Sequence, residues 1–387
     1  MNKQAGFKPA VVGGAGFCGL EAYEIYKIPD HTAGAAPTTI KSYFEHQMKP
    51  PFFIFTVMKY ISIVLILLLS LGATQAQSSK ELHETAKTFM RQGDHANAIL
   101  VLNRALLQEP QSIALGKDLA LSYYFQRENG KALETINAVL DKDDADDQAY
   151  QIAGMIYKQA DVKKDAEKMY RKGLKKFPES GPLYNELGEL QWEQKNFEAI
   201  KQWEKGIEMD PSYSKNYYNA ARYHHLTTDK VWSLIYAEIF INMEPLSTKA
   251  PEIKQLLLDG YKKLFSDVAL FNGKEKNPFL KNYLKSMQAQ SALAATGITA
   301  ETLSMIRTRF VLEWFQSNEP LQFRLFGYQQ QLLKEGLFEA YNQWLFGSSQ
   351  NLSAYQAWIN THNEEYNAFL NFQKGRIFKV PAKEYYR

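Results

Sequence analysis

A repeat period of about 34 residues runs through the middle of the chain and limits its fold more than any other feature. Small residues recur with that period at Ala98, Ala132, Ala166 and Ala199, the last step being one residue shorter than the others. Twelve residues after each stands Pro110, Asp144, Pro178 or Pro211, and Pro245 extends that series by one more period. A second small residue lies upstream in each unit, at Ala86, Ala120, Gly154, Gly188 and Ala221, with Phe89, Tyr123 and Tyr157 on the same helix. A third falls at Ala105, Gly173 and Gly206, with Val139 in its place in the second unit. Similarity at such a period is the mark of stacked supersecondary units. Each unit reads as two antiparallel helices, in which small residues allow close approach and aromatic and leucine side chains fill the remaining space. Proline then ends the second helix. One pair cannot bury its own apolar face, so the units must stack into a solenoid.

The fullest unit runs from Ala149 to Pro178 and carries Tyr150, Ala153, Gly154, Tyr157, Ala166, Tyr170 and Gly173. Tyr184, Leu187, Gly188, Phe197, Ala199 and Pro211 carry the fourth, whose turn is one residue short. In this period and these residues the chain resembles the tetratricopeptide-repeat (TPR) family. The resemblance covers residues 80–245 and implies an all-α solenoid of about five helix pairs that serves as a binding scaffold. The fifth unit departs from the pattern, because Ser233 replaces the small Ala and Phe240 stands where Ala or Gly is expected. Its second helix is therefore expected to pack differently or to begin the next region. The resemblance also implies that the first helix of each pair lines a concave groove. The residues left facing that groove are Lys87, Arg91, Lys117, Tyr124, Lys158, Asn185, Trp192, Tyr218, Arg222 and His225. Five of these ten are Lys or Arg, although residues 77–245 hold 22 basic and 26 acidic side chains, so cations gather on one side. Aromatic anchors beside cations suit an extended protein or peptide segment with acidic groups or a free carboxylate. Ordinary solvated helix faces, or a groove filled by the C-terminal region, are the competing readings.

The N-terminal part reads as a targeting segment behind an extension. Met58-Lys59-Tyr60 is a short basic start, Ile61–Leu71 an apolar run of eleven residues, and Thr74 and Ala76 the small residues of a cleavage site before Gln77. That is the order of a secretory signal peptide over 58–76. The run alone is too short to span a membrane, which takes roughly 20 apolar residues. Joined to Phe52–Val57 it becomes the rival reading, a membrane anchor interrupted by Lys59. Residues 1–57 are then expected to be a spurious extension, with Met58 the initiator, and the mature chain periplasmic or secreted. Within that extension Gly14-Ala15-Gly16-Phe17-Cys18-Gly19 matches a dinucleotide-binding fingerprint. The fingerprint requires a strand carrying an acidic residue about 20 residues on. Asp30 follows Pro29 in no apolar strand, so no cofactor is expected.

Residues 246–387 are a different material. They hold 17 basic and 12 acidic residues, and 23 of the 142 are aromatic, so much ring surface must be buried. Helical spacing marks Ile253–Phe265, Leu303–Trp314 and a third helix through Leu352, Tyr355, Ile359, His362, Tyr366 and Phe369, with Pro320 and Gly347 punctuating the connections. A helical C-terminal domain follows the solenoid on this reading.

A net charge of +3 gives no support to bulk nucleic-acid binding, and the single Cys18 excludes a disulfide framework. No metalloprotease, nucleophile-elbow or phosphate-loop pattern occurs after residue 76. His224-His225, His362 with Glu365, and the acidic run Asp141–Asp147 are the nearest approaches to a metal site. Adjacent histidines diverge on a helix, two ligands make no site, and the acidic run lacks the Gly and Glu of a calcium loop. Arg307 and Arg309 read as ion-paired or snorkelling. The function expected is therefore an exported interaction scaffold without metal or cofactor. The alternative is an enzyme with its active site in the C-terminal region and repeats that recruit substrate.

Overall fold

The computed structural model describes residues 77–227, 229–272, 275–316 and 322–386, and all regular structure among them is helical. The signal-like segment, the extension and the Gly14–Gly19 motif lie outside the described residues, as does Pro320. Among the described residues no helix is long and apolar enough to cross a membrane.

Five helix pairs follow the period. They are α1 (Ser79–Arg91) with α2 (His95–Gln108), α3 (Ile113–Phe125) with α4 (Asn129–Leu140), and α5 (Asp147–Gln159) with α6 (Lys163–Lys176). Then come α7 (Gly181–Glu193) with α8 (Ala199–Met209), and α9 (Ser214–Leu226) with α10 (Lys230–Met243). The caps obey the same period. Ser78, Ser112, Asp146 and Ser180 each accept a backbone N–H in the first turn of α1, α3, α5 and α7, so side chains one period apart satisfy donors left over at each start. The turns between paired helices place Gly93, Arg127, Asp161 and Lys195 in the left-handed region, again one period apart. Four of the five second helices end two residues before a proline, at Gln108, Lys176, Met209 and Met243.

The small positions do the work assigned to them. Ala86, Ala98, Ala120, Ala132, Ala166, Ala199 and Ala221 are fully buried. At Gly154 an added Cβ would collide with the Tyr170 ring, and at Gly188 with the Trp203 indole, so α5 and α7 each rest on an aromatic of the paired helix.

In the fifth pair, Ser233 is accommodated because its hydroxyl donates to the Ala221 carbonyl at 3.0 Å. Phe240 packs against the Tyr218 ring, with ring centres 5.2 Å apart. Helix α10 pairs with α9 and is also buried on every side from Val231 to Asn242, so it ends the series of pairs and forms the floor of the C-terminal region. A longer helix, α11 (Ala250–Ser266), then stacks on α9 and α10 as a further first helix would.

Beyond it lie α12 (Pro278–Gln288), α13 (Ala300–Gln316), α14 (Arg324–Lys334), and a stretch in which α15 (Phe338–Asn342) runs through a π-turn, Gln343–Gly347, into Ser348–Gln350. Gly347 therefore lies within a helical stretch rather than in a connection, and a Cβ there would strike the Tyr355 ring. The expected single helix from Leu352 to Phe369 is two, α16 (Leu352–Thr361) and α17 (Asn363–Lys374), divided at His362. Only Phe369 of the six residues that marked it is buried.

One apolar core runs from Ala199 to Val380, across the end of the repeats and the whole C-terminal region. Phe279 is its hub, stacked on Phe326 at 5.8 Å, Trp232 at 5.6 Å and Tyr386 at 5.0 Å. The C-terminal tail thus closes the core, held also by Asn277, which donates to the Tyr386 carbonyl at 2.7 Å. Arg307 is buried and ion-paired with Glu238 of α10. Gln329 and Tyr341 donate to the same Glu238 oxygen at 2.7 and 2.8 Å, and Arg307 also donates to Asn342.

Candidate partner-binding surface

The first helices of neighbouring pairs approach one another, α5 to α7 and α7 to α9 among them, so they line the inner face of the stack. All ten residues expected in the groove lie on these helices. They do not present a row of free cations. Most polar side chains on this face reach the next unit, one repeat along the chain. His83 pairs with Asp118 at 2.6 Å, Lys117 with Asp146, and Lys158 with Glu193 at 3.5 Å and Glu186 at 3.9 Å. Asn219 donates to Asn185 at 2.9 Å and to Glu189 at 3.1 Å, while Tyr218 and Arg222 both hold Glu252 of α11, at 2.9 and 3.0 Å. Lys87 pairs within its own helix with Glu84, and Arg91 donates to Thr88. Tyr124 is half-buried against Phe125.

Electrostatics follow from this ladder. Burial works against the Lys158 charge, but Glu186, Glu193 and Glu189 outweigh it and raise its pKa. Burial, with Glu189 beside it, holds Glu186 above the usual carboxylate range. Burial and the hydrogen bond to Glu252 push Tyr218 up to about 12.

Two cavities open on the inner face, the first where α7, α9 and α11 meet and the second where α7 and α9 meet the end of α10 and its connection to α11, and Asn219 borders both. The first, of about 300 Å³, has walls of Trp192, Trp203, Tyr223 and Leu256 and a rim of Arg222, His225, Glu252 and Asp259. The second, of about 370 Å³, lies over Tyr218 and Phe240, with Lys215, Lys249, Glu189 and Glu244 around it. Such volumes are at the small end of ligand sites and fit a side chain or two. Lys215 and Lys249 are exposed and form no ion pair within 4 Å among the described residues, although the Lys215 charge is felt by Glu186; Lys249 lies 5.9 Å above the Tyr218 ring. Trp192, Tyr218, Arg222 and His225 of the expected set therefore converge here, with Asn185 just behind Asn219. Lys87, Arg91, Lys117, Tyr124 and Lys158 belong to earlier units. Sequence reasoning missed Asn219, Leu256 and Asp259; the signal for the last two was the continuation of first-helix spacing into α11.

The residues weighed for metal binding part company. His224 is buried and bonded to Glu204 at 2.8 Å, whereas His225 accepts from Lys263 at 2.8 Å. Asp146 caps α5, Asp147 accepts from Ser180, and Glu365 accepts from the Ala340 N–H at 3.2 Å. Among the described residues no three such side chains gather to hold an ion. The polar cluster around Glu238 and Arg307 borders a void of about 10 Å³, barely one water in size.

No family model matches the chain, and no curated protein is similar enough to be matched. Solved structures similar to it include a thermophilic TPR protein of Thermus thermophilus, 12% identical with a TM-score of 0.39, over 48% of this chain and 99% of that one. A tetratricopeptide-repeat protein of Parabacteroides merdae is 18% identical with a TM-score of 0.37, over 71% and 100%. YrrB, described as a TPR protein with an unusual peptide-binding site, is 14% identical with a TM-score of 0.32, over 48% and 92%. These are likenesses only; the chain's own helix pairs make residues 79–243 an all-α solenoid whose repeat length and pairing are those of the tetratricopeptide-repeat type.

Proposed function

We propose that this protein is an exported interaction scaffold that binds an extended segment of a partner polypeptide on the inner face between α7, α9 and α11. The observation that carries the reading is the pair of adjoining cavities on that face, one walled by Trp192, Trp203 and Tyr223. Aromatic walls take an apolar side chain of the segment, and the polar rim orients its backbone. The acidic character expected of the segment draws support from Lys215 and Lys249, which line the second cavity, are exposed and form no ion pair within 4 Å among the described residues. Lys117, Lys158 and Arg222 are already neutralised by neighbouring units, so an acidic ligand would gain little from them. Export rests on the signal-like order of residues 58–76, with Gln77 as the mature N-terminus.

An array of peptides varying in acidic and aromatic content, probed with the wild type and with Lys215→Glu/Lys249→Glu, tests the site. Both lysines are exposed, so the double variant is expected to fold normally and to lose acidic peptides selectively. Equal binding by the two proteins would remove the acidic reading; no binding by either, at low salt, would remove the peptide reading. Terminal sequencing of exported protein tests Gln77.

A further inference from the structure

At the rim of the first cavity, Lys263 of α11 donates to His225 Nε2 across 2.8 Å. A lysine donates only to an unprotonated ring nitrogen, so this histidine is neutral, with its proton on Nδ1. That Nδ1 is buried without a hydrogen-bond partner, and Lys263 forms no ion pair among the described residues. An exposed ammonium facing an imidazole keeps its positive charge and spare donors, and among the described residues no carboxylate accepts from them.

The charged groups around His225 come from each element packed there. They are Arg222 on its own helix, Lys230 with Asp229 across the following turn, and Glu252, Asp259 and Lys263 on α11, with Asp267 beyond. Two of the acids are already engaged. Glu252 is held by Arg222 and Tyr218, and Asp259 accepts from Gln255 at 2.9 Å and pairs with Lys262 at 3.5 Å. Burial, then Lys263 and Lys230, hold His225 below its ordinary range, and Asp259 only partly offsets them.

We infer that Lys263 and His225 form a carboxylate subsite at the mouth of this cavity, and that filling it adds a proton to His225. A carboxylate entering there accepts from Lys263, which leaves His225 Nε2 free to take a proton from solvent and donate to the second oxygen. No bond to carbon changes; one proton moves from water to the ring. The subsite rests on the proposed peptide reading for its natural ligand, a Glu, Asp or C-terminal carboxylate beside an apolar residue in the aromatic cavity.

The free ring titrates below its ordinary value and the occupied ring above it, so between those two values binding takes up a proton and tightens as pH falls. With one proton, the gain is at most about tenfold in affinity per pH unit.

Two measurements separate this subsite from the peptide reading. The first titrates the histidine ring signals by NMR from pH 8 to 5, in sodium acetate and in sodium chloride of equal ionic strength, with His225→Gln to assign the signal. Acetate is expected to move the His225 midpoint up by about one unit; an unchanged midpoint at high acetate overturns the subsite. The second follows the affinity of an acidic peptide selected from the array over the same range. Wild type is expected to bind more tightly toward pH 5.5 and His225→Gln to show a flat profile. A flat wild-type profile with binding intact overturns the subsite and leaves the peptide reading standing. A shift with acetate and no peptide binding does the reverse.

Discussion

The first three repeats and the region beyond Ala199 bury their apolar surface in opposite ways. Near the N-terminal end the core is divided into slabs. One holds Leu82 to Leu119, the next Ala120 to Ile156, and a third Tyr150 to Leu190, each made by residues of neighbouring units. Beyond Ala199 a single cluster joins residues as distant as Trp203 and Val380. Contacts in the first region are local and repeat, so its stability is a sum of similar nearest-neighbour terms. In the second region contacts close long loops, and one buried ion pair spans 69 residues from Glu238 to Arg307. A repetitive stack can thus be extended or shortened, whereas the C-terminal region is tied to α10. The candidate site lies at the seam, where first-helix spacing continues into α11 while its other side joins the aromatic core.

That contrast can be broken most sharply at Glu238. Glu238→Ala leaves Arg307 buried without its counter-ion, a change that typically costs about 3–5 kcal/mol. Thermal unfolding should show a large loss in the transition that near-ultraviolet aromatic signals report, with less effect on the first repeats. A fall of the same size in both regions would mean that the whole chain unfolds as one unit. Gly154→Leu tests the other side. Its side chain would collide with the Tyr170 ring, and overpacking typically costs about 1–3 kcal/mol. An unchanged melting temperature would contradict this helix register.

Lys254 sharpens the seam itself. Its ammonium donates to the Trp344 carbonyl at 2.6 Å and lies 4.0 Å from that ring centre, and burial pushes its pKa down to about 8. The unfolded chain therefore holds more protons than the folded one between about pH 8 and the ordinary lysine range, so stability rises with pH across that window. Stability of the wild type should rise relative to Lys254→Met as pH climbs from 8 to 9.5. Parallel curves for the two proteins would place the ammonium in water. The smallest effect is expected at the first cap: Ser78→Ala removes a reciprocal cap with Glu81 and should cost about 1 kcal/mol, read as faster amide exchange in α1 alone.

Much of the first region was legible because its physics is local. Ala98, Ala132, Ala166 and Ala199 mark close approaches that recur with the chain's own period, and the helix ends fall just before Pro110, Pro178, Pro211 and Pro245. The caps Ser78, Ser112, Asp146 and Ser180 carried the same period and were open to the same reading. Inner-face positions such as Trp192, Tyr218 and Arg222 follow from helix spacing once the resemblance assigns the first helices to the groove. Their partners do not. Helical spacing put Lys158 and Arg222 on the inner face without showing that Glu193 and Glu252 neutralise them from the next helix.

What the sequence determined by itself was the unit and its repetition, since a helix pair is specified by residues within one period of each other and stacking follows from its unburied face. Ser233 and Phe240 already marked where the repetition falters, but tertiary structure alone decided what covers α10 and where a ligand has room. Phe279 and Arg307 reach α10, and Tyr386 reaches Phe279, only after the chain has folded back on itself, and no short-range pattern encodes such a meeting. The same holds for the pairing of His225 with Lys263, which are 38 residues apart: only the packing of α9 on α11 sets the ring against an ammonium that forms no ion pair among the described residues.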